Sequence, residues 1–378
     1  MEMPHRSSFA SRADPESRPI TIRSRSEGAG RHALCCFRCL AEGSTVRIAL
    51  VGCGAIAESF YLPAWKGLAE NSGNEIVLVD PNLERARQLA RTFDLDEALC
   101  RSDAGDLDGE IDGAIVAVPH HLHVPITTML LDRGSHVLCE KPLATNPGDA
   151  DVMIEAASSA GKHLMVNNTR RLFGSMAKIG ELLRSGAIGE LRRFRMAEGG
   201  EYNWPTVSGF YFDPSQTGGG VLEDMGAHVL DLVCWWLGGQ PEIVEVRDDA
   251  FGGIEAVSRV ELSYGSATGV IHLSRLTQLA NSFVLEGTEG SILAEPFNWR
   301  SVRLVRGDEV KTIKAGSEPT FEAFSEILLD NFLGVLGGSQ EPRIPAASVR
   351  DSIALLEAAY AARKPFDDLP WLYQGVSL

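Results

Sequence analysis

The stretch GGGVLEDMGAHVLDLVCWWLG, residues 218–238, places a carboxylate, Asp224, and an imidazole, His228, four positions apart behind three glycines. Residues so spaced on a helix share a face and can meet one ligand. Met225, Val229, Leu232 and Trp236 form the neighbouring apolar stripe that would anchor such a helix in a core. Leaving polar groups unpaired there costs roughly 2 to 7 kcal/mol by transfer measures. The pair therefore needs a partner, either each other or a substrate. With an ordinary pKa of about 6.5, His228 would populate both protonation states near neutrality, which suits a shuttle for an alcohol proton.

A second constellation is VGCGAIA, which fits Gly-x-Gly-x-x-Ala at Gly52, Gly54 and Ala57, where an apolar run gives way to a helical pattern. The first glycine permits a tight turn, the second lets backbone amides reach a pyrophosphate, and the small third residue allows close helix–strand packing. Gly52, Gly54, Ala55 and Ile56 are the cofactor-binding candidates of this turn. Asp80 ends the next apolar run, where a carboxylate accepts from adenosine ribose hydroxyls; its structural alternative is a cap or turn residue before Pro81. A 2′-phosphate would meet negative charge at Asp80, which favours NAD over NADP, with Arg85 and Arg87 close by as a counterweight. A third constellation, HVLCEKPLATN, sets Glu140, Lys141 and Pro142 at the end of another such run.

The elements that would position these groups follow from the patterning. TVRIALVG, EIVLVD, GAIVAV, SHVLCEK and HLMV are short continuous apolar runs, as expected of strands buried on both faces, and helical patterns alternate with them at 83–93, 122–133 and 147–160. That order predicts an α/β fold whose amino-terminal half is a Rossmann dinucleotide-binding domain over 45–166. The Glu-Lys-Pro segment then falls at the carboxyl edge of the parallel sheet, where such sheets bind ligands. Beyond it, after a helical stretch at about 176–184, IEAVSRVELSYG, SATGVIHLSR, NSFVLEG and GSILAEP show two-residue alternation with glycine turns. Two further helical patterns close the chain, at about 322–336 and 348–362. Residues 167–378 are thus expected to form an α+β substrate-binding and oligomerisation domain with an open, mostly antiparallel sheet. Residues 1–44, rich in Ser and Arg and without periodicity, read as a disordered or non-core extension rather than a secretory leader.

The residues GCGAIA, CEKPLAT and GGGVLEDMGAH together resemble the glucose-fructose oxidoreductase, inositol dehydrogenase and rhizopine-catabolism (Gfo/Idh/MocA) family. NNTRRLF, SGAIGELRRF and GTEGSI extend the likeness over about 46–365. The resemblance implies hydride transfer between a nicotinamide cofactor and a secondary alcohol or ketone of a sugar, cyclitol or related polyol. It implies catalytic roles for Lys141, Asp224 and His228, with the principal acid/base left open between Lys141 and His228. Pro119, His120, His123, Glu140 and Lys141 would border the cofactor, although His120 stands where the family often has Asn. Lys141, Arg171, Tyr202, Asp224 and His228 would contact substrate, with Asn203 and Trp204 as further wall candidates and an ion pair as the alternative for Arg171. A cis peptide before Pro142 and a homodimer or homotetramer are implied in the same way. Two other activities are compatible with the motifs: an NAD-dependent glycosidase using transient oxidation, and a non-catalytic dinucleotide-binding regulator.

Composition narrows the partners. A formal net charge of −16 repels nucleic acid and anionic lipid, and no basic stripe reverses it. No apolar run approaches the ~20 residues of a membrane helix. Seven cysteines, scattered apart from CCFRC at Cys35, Cys36 and Cys39, suggest reduced thiols in a cytoplasm rather than a disulfide framework. HHLH at 120–123 and CCFRC lack partners at ligand spacing, so no metal is expected.

Overall fold

The computed structural model describes residues 45–69, 73–202, 209–250 and 253–367. Residues 1–44, including Cys35, Cys36 and Cys39, lie outside them, as do Asn203 and Trp204. The first five strands are β1 (Arg47–Val51), β2 (Glu75–Val79), β3 (Gly113–Val116), β4 (His136–Cys139) and β5 (Leu164–Val166). They form one all-parallel sheet in the order β2-β1-β3-β4-β5. Four of the intervening helices are α1 (Leu62–Ala69), α2 (Leu83–Thr92), α3 (His123–Asp132) and α4 (Pro147–Ala160), each within a residue or so of the segment its periodicity marks out where one was marked. Asn82 and Asn146 start α2 and α4 by accepting backbone N–H bonds, and Gly161, in the left-handed region, stops α4.

Alternate residues of β1 face opposite layers, so Ile48 and Leu50 pack with α1 and α2, while Ala49 and Val51 pack with α3 and α4. The first of these layers is completed from the far end of the chain. Leu328, Leu329, Phe332, Val335 and Leu336 of α8 (Ala323–Leu336) belong to the same buried cluster as Ile48 and Leu50. Gly113 on β3 admits this helix, because a Cβ there would press on Phe332 and Leu336.

The second sheet has nine strands. They are β6 (Leu191–Gly199), β7 (Glu242–Asp248), β8 (Val257–Tyr264), β9 (Ala267–Ser274), β10 (Ser282–Gly287), β11 (Ser291–Ala294), β12 (Ser301–Arg306), β13 (Glu309–Lys314) and β14 (Arg363–Pro365). Their order is β13-β12-β11-β10-β6-β9-β8-β7-β14, antiparallel except for the parallel pairs β6–β9 and β14–β7. One face carries Phe194, Met196, Val260, Leu262, Ile271, Leu273, Phe283 and Leu285 against α5 (Gly174–Arg184), α7 (Ala227–Leu237) and α9 (Arg350–Ala362), with a single helical turn, α6 (Pro214–Thr217), leading into the glycines. Among the described residues, no helix is long and apolar enough to cross a membrane.

Candidate active site

The glycine turn joins β1 to a helix that opens at Ala55 and passes through a π-helical turn, Ala57–Tyr61, before α1. Gly52 has φ +100° and lies against the Ala117 carbonyl, which a Cβ would strike, so both conformation and space demand glycine. Gly54 has nothing within 4 Å of where a Cβ would stand, leaving open room over the helix start. Asp80 Oδ2 accepts from Cys53 N at 2.9 Å, and Oδ1 from Asn82 N at 2.8 Å, which fixes the carboxylate at the rim of this cradle. Arg85 donates from Nε to Cys53 O at 3.0 Å and pairs with Glu58 at 2.5 Å, so its charge is already matched. An open cradle at a helix start with a carboxylate at its rim fits a dinucleotide.

At the ends of β3 and β4 the histidines are structural in character. His123 is fully buried between the carbonyls of Pro142 (2.9 Å) and Val118 (3.0 Å), and burial pushes it down to about 3, leaving it neutral. His120 donates from Nδ1 to Thr217 O at 2.8 Å; burial and then the Lys141 charge bring it to about 4. Pro119, half-buried, precedes it at the sheet edge. No group of three or more metal-ligating side chains occurs among the described residues.

Lys141 follows β4 and precedes a cis peptide to Pro142. Its Nζ donates to Asp224 Oδ1 at 2.6 Å and to Asp224 O at 3.0 Å, while Arg275 Nη2 donates to Asp224 Oδ2 at 2.9 Å. Burial alone would raise the Asp224 carboxyl, but these two cations prevail and hold it well below the usual carboxylate range. Asp224 sits in a second π-helical turn, Leu222–Gly226, ahead of α7. Such turns recur at functional sites because they interrupt helical spacing. Glu255 secures that turn: its Oε1 accepts from Gly220 N (2.9 Å), Leu222 N (3.0 Å) and the Tyr360 hydroxyl (2.8 Å). Gly219 and Gly220 are what permit this, since a Cβ on either would collide with Tyr360 or with the Glu255 backbone.

His228 interacts electrostatically with both Lys141 and Asp224, but not in the charge state expected from its ordinary pKa. Burial first, then the Lys141 and Arg170 cations, lower it well below that value, so the ring is neutral at physiological pH. Its Nδ1 is buried without a hydrogen-bond partner. Glu140 points inward: Oε1 accepts from the Tyr61 hydroxyl (2.7 Å) and Asn167 Nδ2 (2.6 Å), and Oε2 from Lys141 N at 3.2 Å. Arg171 is also committed elsewhere, with Asp231 at 2.6 and 2.8 Å and Ser348 at 2.9 Å, tying α7 to the turn that precedes α9. Tyr202 lies with its ring under the Arg275 guanidinium, 5.1 Å from ring centroid to carbon, so it joins the group around Asp224.

Several residues around this group were not singled out from the sequence: Tyr61, Asn167, Arg170, Glu223, Glu255 and Arg275. Of these, Glu223 carried a local signal, an acid on an apolar helix directly before Asp224. It is almost fully buried, its Oε1 lacks a hydrogen-bond partner, and it stands 3.6 Å from His120 Nδ1. Burial pushes it up to about 8, with Lys141 opposing and Asp224 adding, so at neutrality it faces His120 as one uncharged group to another. Between pH 4.5 and about 8 the folded protein thus binds a proton at Glu223 that the unfolded chain releases. This contribution to stability is complete below that window and is lost as pH rises through it. Glu223→Gln should flatten the decline, worth at most about 1.4 kcal/mol per pH unit, in denaturant midpoints measured across the window. Parallel curves for the two proteins would show that Glu223 does not hold its proton.

Two family models match the chain: an oxidoreductase family model with an NAD-binding Rossmann fold over residues 46–168, and the GFO/IDH/MocA C-terminal domain over 176–293. Trans-1,2-dihydrobenzene-1,2-diol dehydrogenase of Oryctolagus cuniculus is 30% identical over 273 residues, 71% of this chain and 81% of the relative. Among solved structures, aldose-aldose oxidoreductase from Caulobacter crescentus with glycerol superposes with TM-score 0.70 at 24% identity, covering 84% of this chain and 97% of that one. Levoglucosan dehydrogenase with NADH and levoglucosan does so with TM-score 0.72 at 20% identity and the same coverage. The two structures share the fold described above.

Proposed function

Because the chain belongs to the GFO/IDH/MocA oxidoreductase family, with an NAD(P)-binding Rossmann domain, we propose that the Lys141–Asp224–His228 group interconverts a secondary alcohol and a ketone on a sugar, cyclitol or related ring polyol. The observation that carries this reading is the 2.6 Å pair between Lys141 and Asp224, which joins the carboxyl edge of the nucleotide sheet to the glycine-led helix of the second sheet. A nicotinamide dinucleotide held at the glycine turn would, when bound, provide the redox chemistry for the carbinol carbon. In the reducing direction Lys141 gives a proton to the carbonyl oxygen, and in the oxidising direction its amine takes the hydroxyl proton. Asp224 orients Lys141 and balances its charge. His228, neutral and short of a partner at Nδ1, is suited to hydrogen-bonding the substrate oxygen rather than storing a proton.

Gly52, Gly54, Ala55, Ile56 and Asp80 would hold the dinucleotide, with Pro119, His120 and Lys141 toward its nicotinamide end. For Glu140 and His123 the role we favour is to brace the backbone at Lys141 and Pro142, and for Arg171 an ion pair within the core. Asp80, with Arg85 neutralised by Glu58, supports NAD over NADP. The four described cysteines are buried free thiols, in keeping with a reducing, cytoplasmic setting, and the open nine-stranded sheet suits a homodimer or homotetramer. Residues 45–166 and 167–378 serve in this reading as the nucleotide and substrate regions.

Turnover of NAD and NADP across sugars, cyclitols and ring diols tests the function. Binding of the dinucleotide with no substrate-dependent change in its redox state would argue for a sensor instead. Asp80→Asn keeps one acceptor oxygen and removes the charge, and should weaken NAD by about 10-fold while NADP holds or improves, consistent with the loss of one charge-assisted bond. Calorimetry with both nucleotides checks this; tighter NADP binding by the unmodified protein would reverse the preference.

A further inference from the structure

We propose that the cavity beside Arg275 takes an apolar ring or chain that the substrate carries next to its reacting carbinol. The inference rests on the carbinol reading above and adds to it the chemistry of the substrate's other end. The cavity has a volume of about 330 Å³ and is walled by Tyr202, Phe212, Ile254, Ala256 and Leu276, with Glu255 and Arg275 as its charged members. An apolar cavity of about 150 Å³ is enough to hold benzene. Both charged members are tied to the protein, though not completely: Glu255 Oε1 accepts from three donors while its Oε2, 3.8 Å from Arg363, has no hydrogen-bond partner, and Arg275 is held by Asp224 and the Tyr202 ring. A hydroxyl-rich ring placed here would meet mostly aromatic and aliphatic surface, with few partners for its hydroxyls.

Phe212 and Leu276 are 60% and 46% exposed, apolar surface that a ligand would cover. The cavity is joined to the chemistry through a single side chain. Arg275 and Lys141 hold opposite oxygens of Asp224, so a substrate whose oxygen lies at Lys141 reaches the cavity across one carboxylate.

The test compares cyclohexane-1,2-diol with myo-inositol, which present the same ring with and without the remaining hydroxyls, using NAD and the full chain. The unmodified protein should prefer the diol in kcat/KM. Leu276→Asn and Phe212→Ser alter exposed side chains, and each should lower kcat/KM for the diol about 10-fold or more, the scale of a lost apolar pocket contact, while inositol changes by less than about 2-fold. A preference for inositol, or an equal fall for both substrates, overturns the proposal. Calorimetry of cyclohexane-1,2-diol with the same three proteins separates the two readings. Binding that weakens in the variants without any turnover keeps the cavity and sinks the carbinol chemistry. A diol that neither binds nor is turned over sinks the cavity.

Discussion

Lys141→Met should lower kcat by about 10²- to 10⁴-fold, the usual yield of a positioned acid/base, with little change in dinucleotide affinity. The Lys141 ammonium touches Asp224 through both a carboxylate oxygen and the backbone carbonyl, so its position is set by two bonds rather than by one flexible contact. Asp224 keeps Arg275 when Lys141 is lost, so the carboxylate stays ionised and the surrounding turn keeps its anchor. Lys141→Arg sharpens the reading. A guanidinium preserves the charge beside Asp224 but does not release a proton, so it should leave kcat nearly as low as methionine does. Steady-state absorbance of the reduced nicotinamide, with calorimetric dinucleotide binding as the control, measures both. Near-normal kcat in Lys141→Arg would remove proton transfer from Lys141 and leave it only an electrostatic role.

The second large effect is on stability. Arg170 meets Glu198 through two bonds, 2.5 and 2.6 Å, and both side chains are almost wholly shut off from solvent. Removing one member of such a pair strands the other charge, at a cost of about 3 to 5 kcal/mol. Arg170→Met should lose that much in denaturant unfolding. The double change Arg170→Met with Glu198→Leu should recover most of it, because two apolar groups of similar length need no counterion. Arg170 also contributes to keeping His228 uncharged, so the His228 imidazole should titrate higher in the single variant, as read by proton chemical shifts. A loss under about 1 kcal/mol, the scale of an exposed pair, would mean that solvent reaches this site.

The first sheet was largely readable from the chain because strands buried on both faces are unbroken apolar runs, RIALV and EIVLV among them. The second sheet was read only in part. LRRFRMAEG of β6 and EVKTIK of β13 present charged residues on an exposed face or an edge, and their apolar half is too sparse to announce a strand. β14 is three residues following directly on α9, recognisable only by its partner β7.

The candidate site divides similarly. Glycine spacing and an acid or lysine at a strand end are local signals, so Gly52, Asp80, Lys141 and Asp224 stood out. Arg275, Tyr61 and Glu255 act across 51, 79 and 35 residues of chain, and nothing near them in sequence shows those partners. The lowered pKa of His228 is not legible in its residue type, because desolvation and two nearby cations come from the packed neighbourhood. Neither π-helical turn has a signature in its own residues.

Helix α8 closes the layer beneath Ile48 and Leu50, although it is made only at 323–336, after the whole of the first sheet and nearly all of the second. During synthesis, then, the nucleotide half leaves the ribosome with one side of its sheet only partly covered, by α1 and α2, and the rest of that apolar side open until the tail arrives. A fragment ending before Ala323 would keep every glycine and carboxylate of the cofactor cradle yet show to its neighbours the apolar patch that Leu328, Leu329, Phe332, Val335 and Leu336 cover, and clumping would compete with ligand capture in a tube.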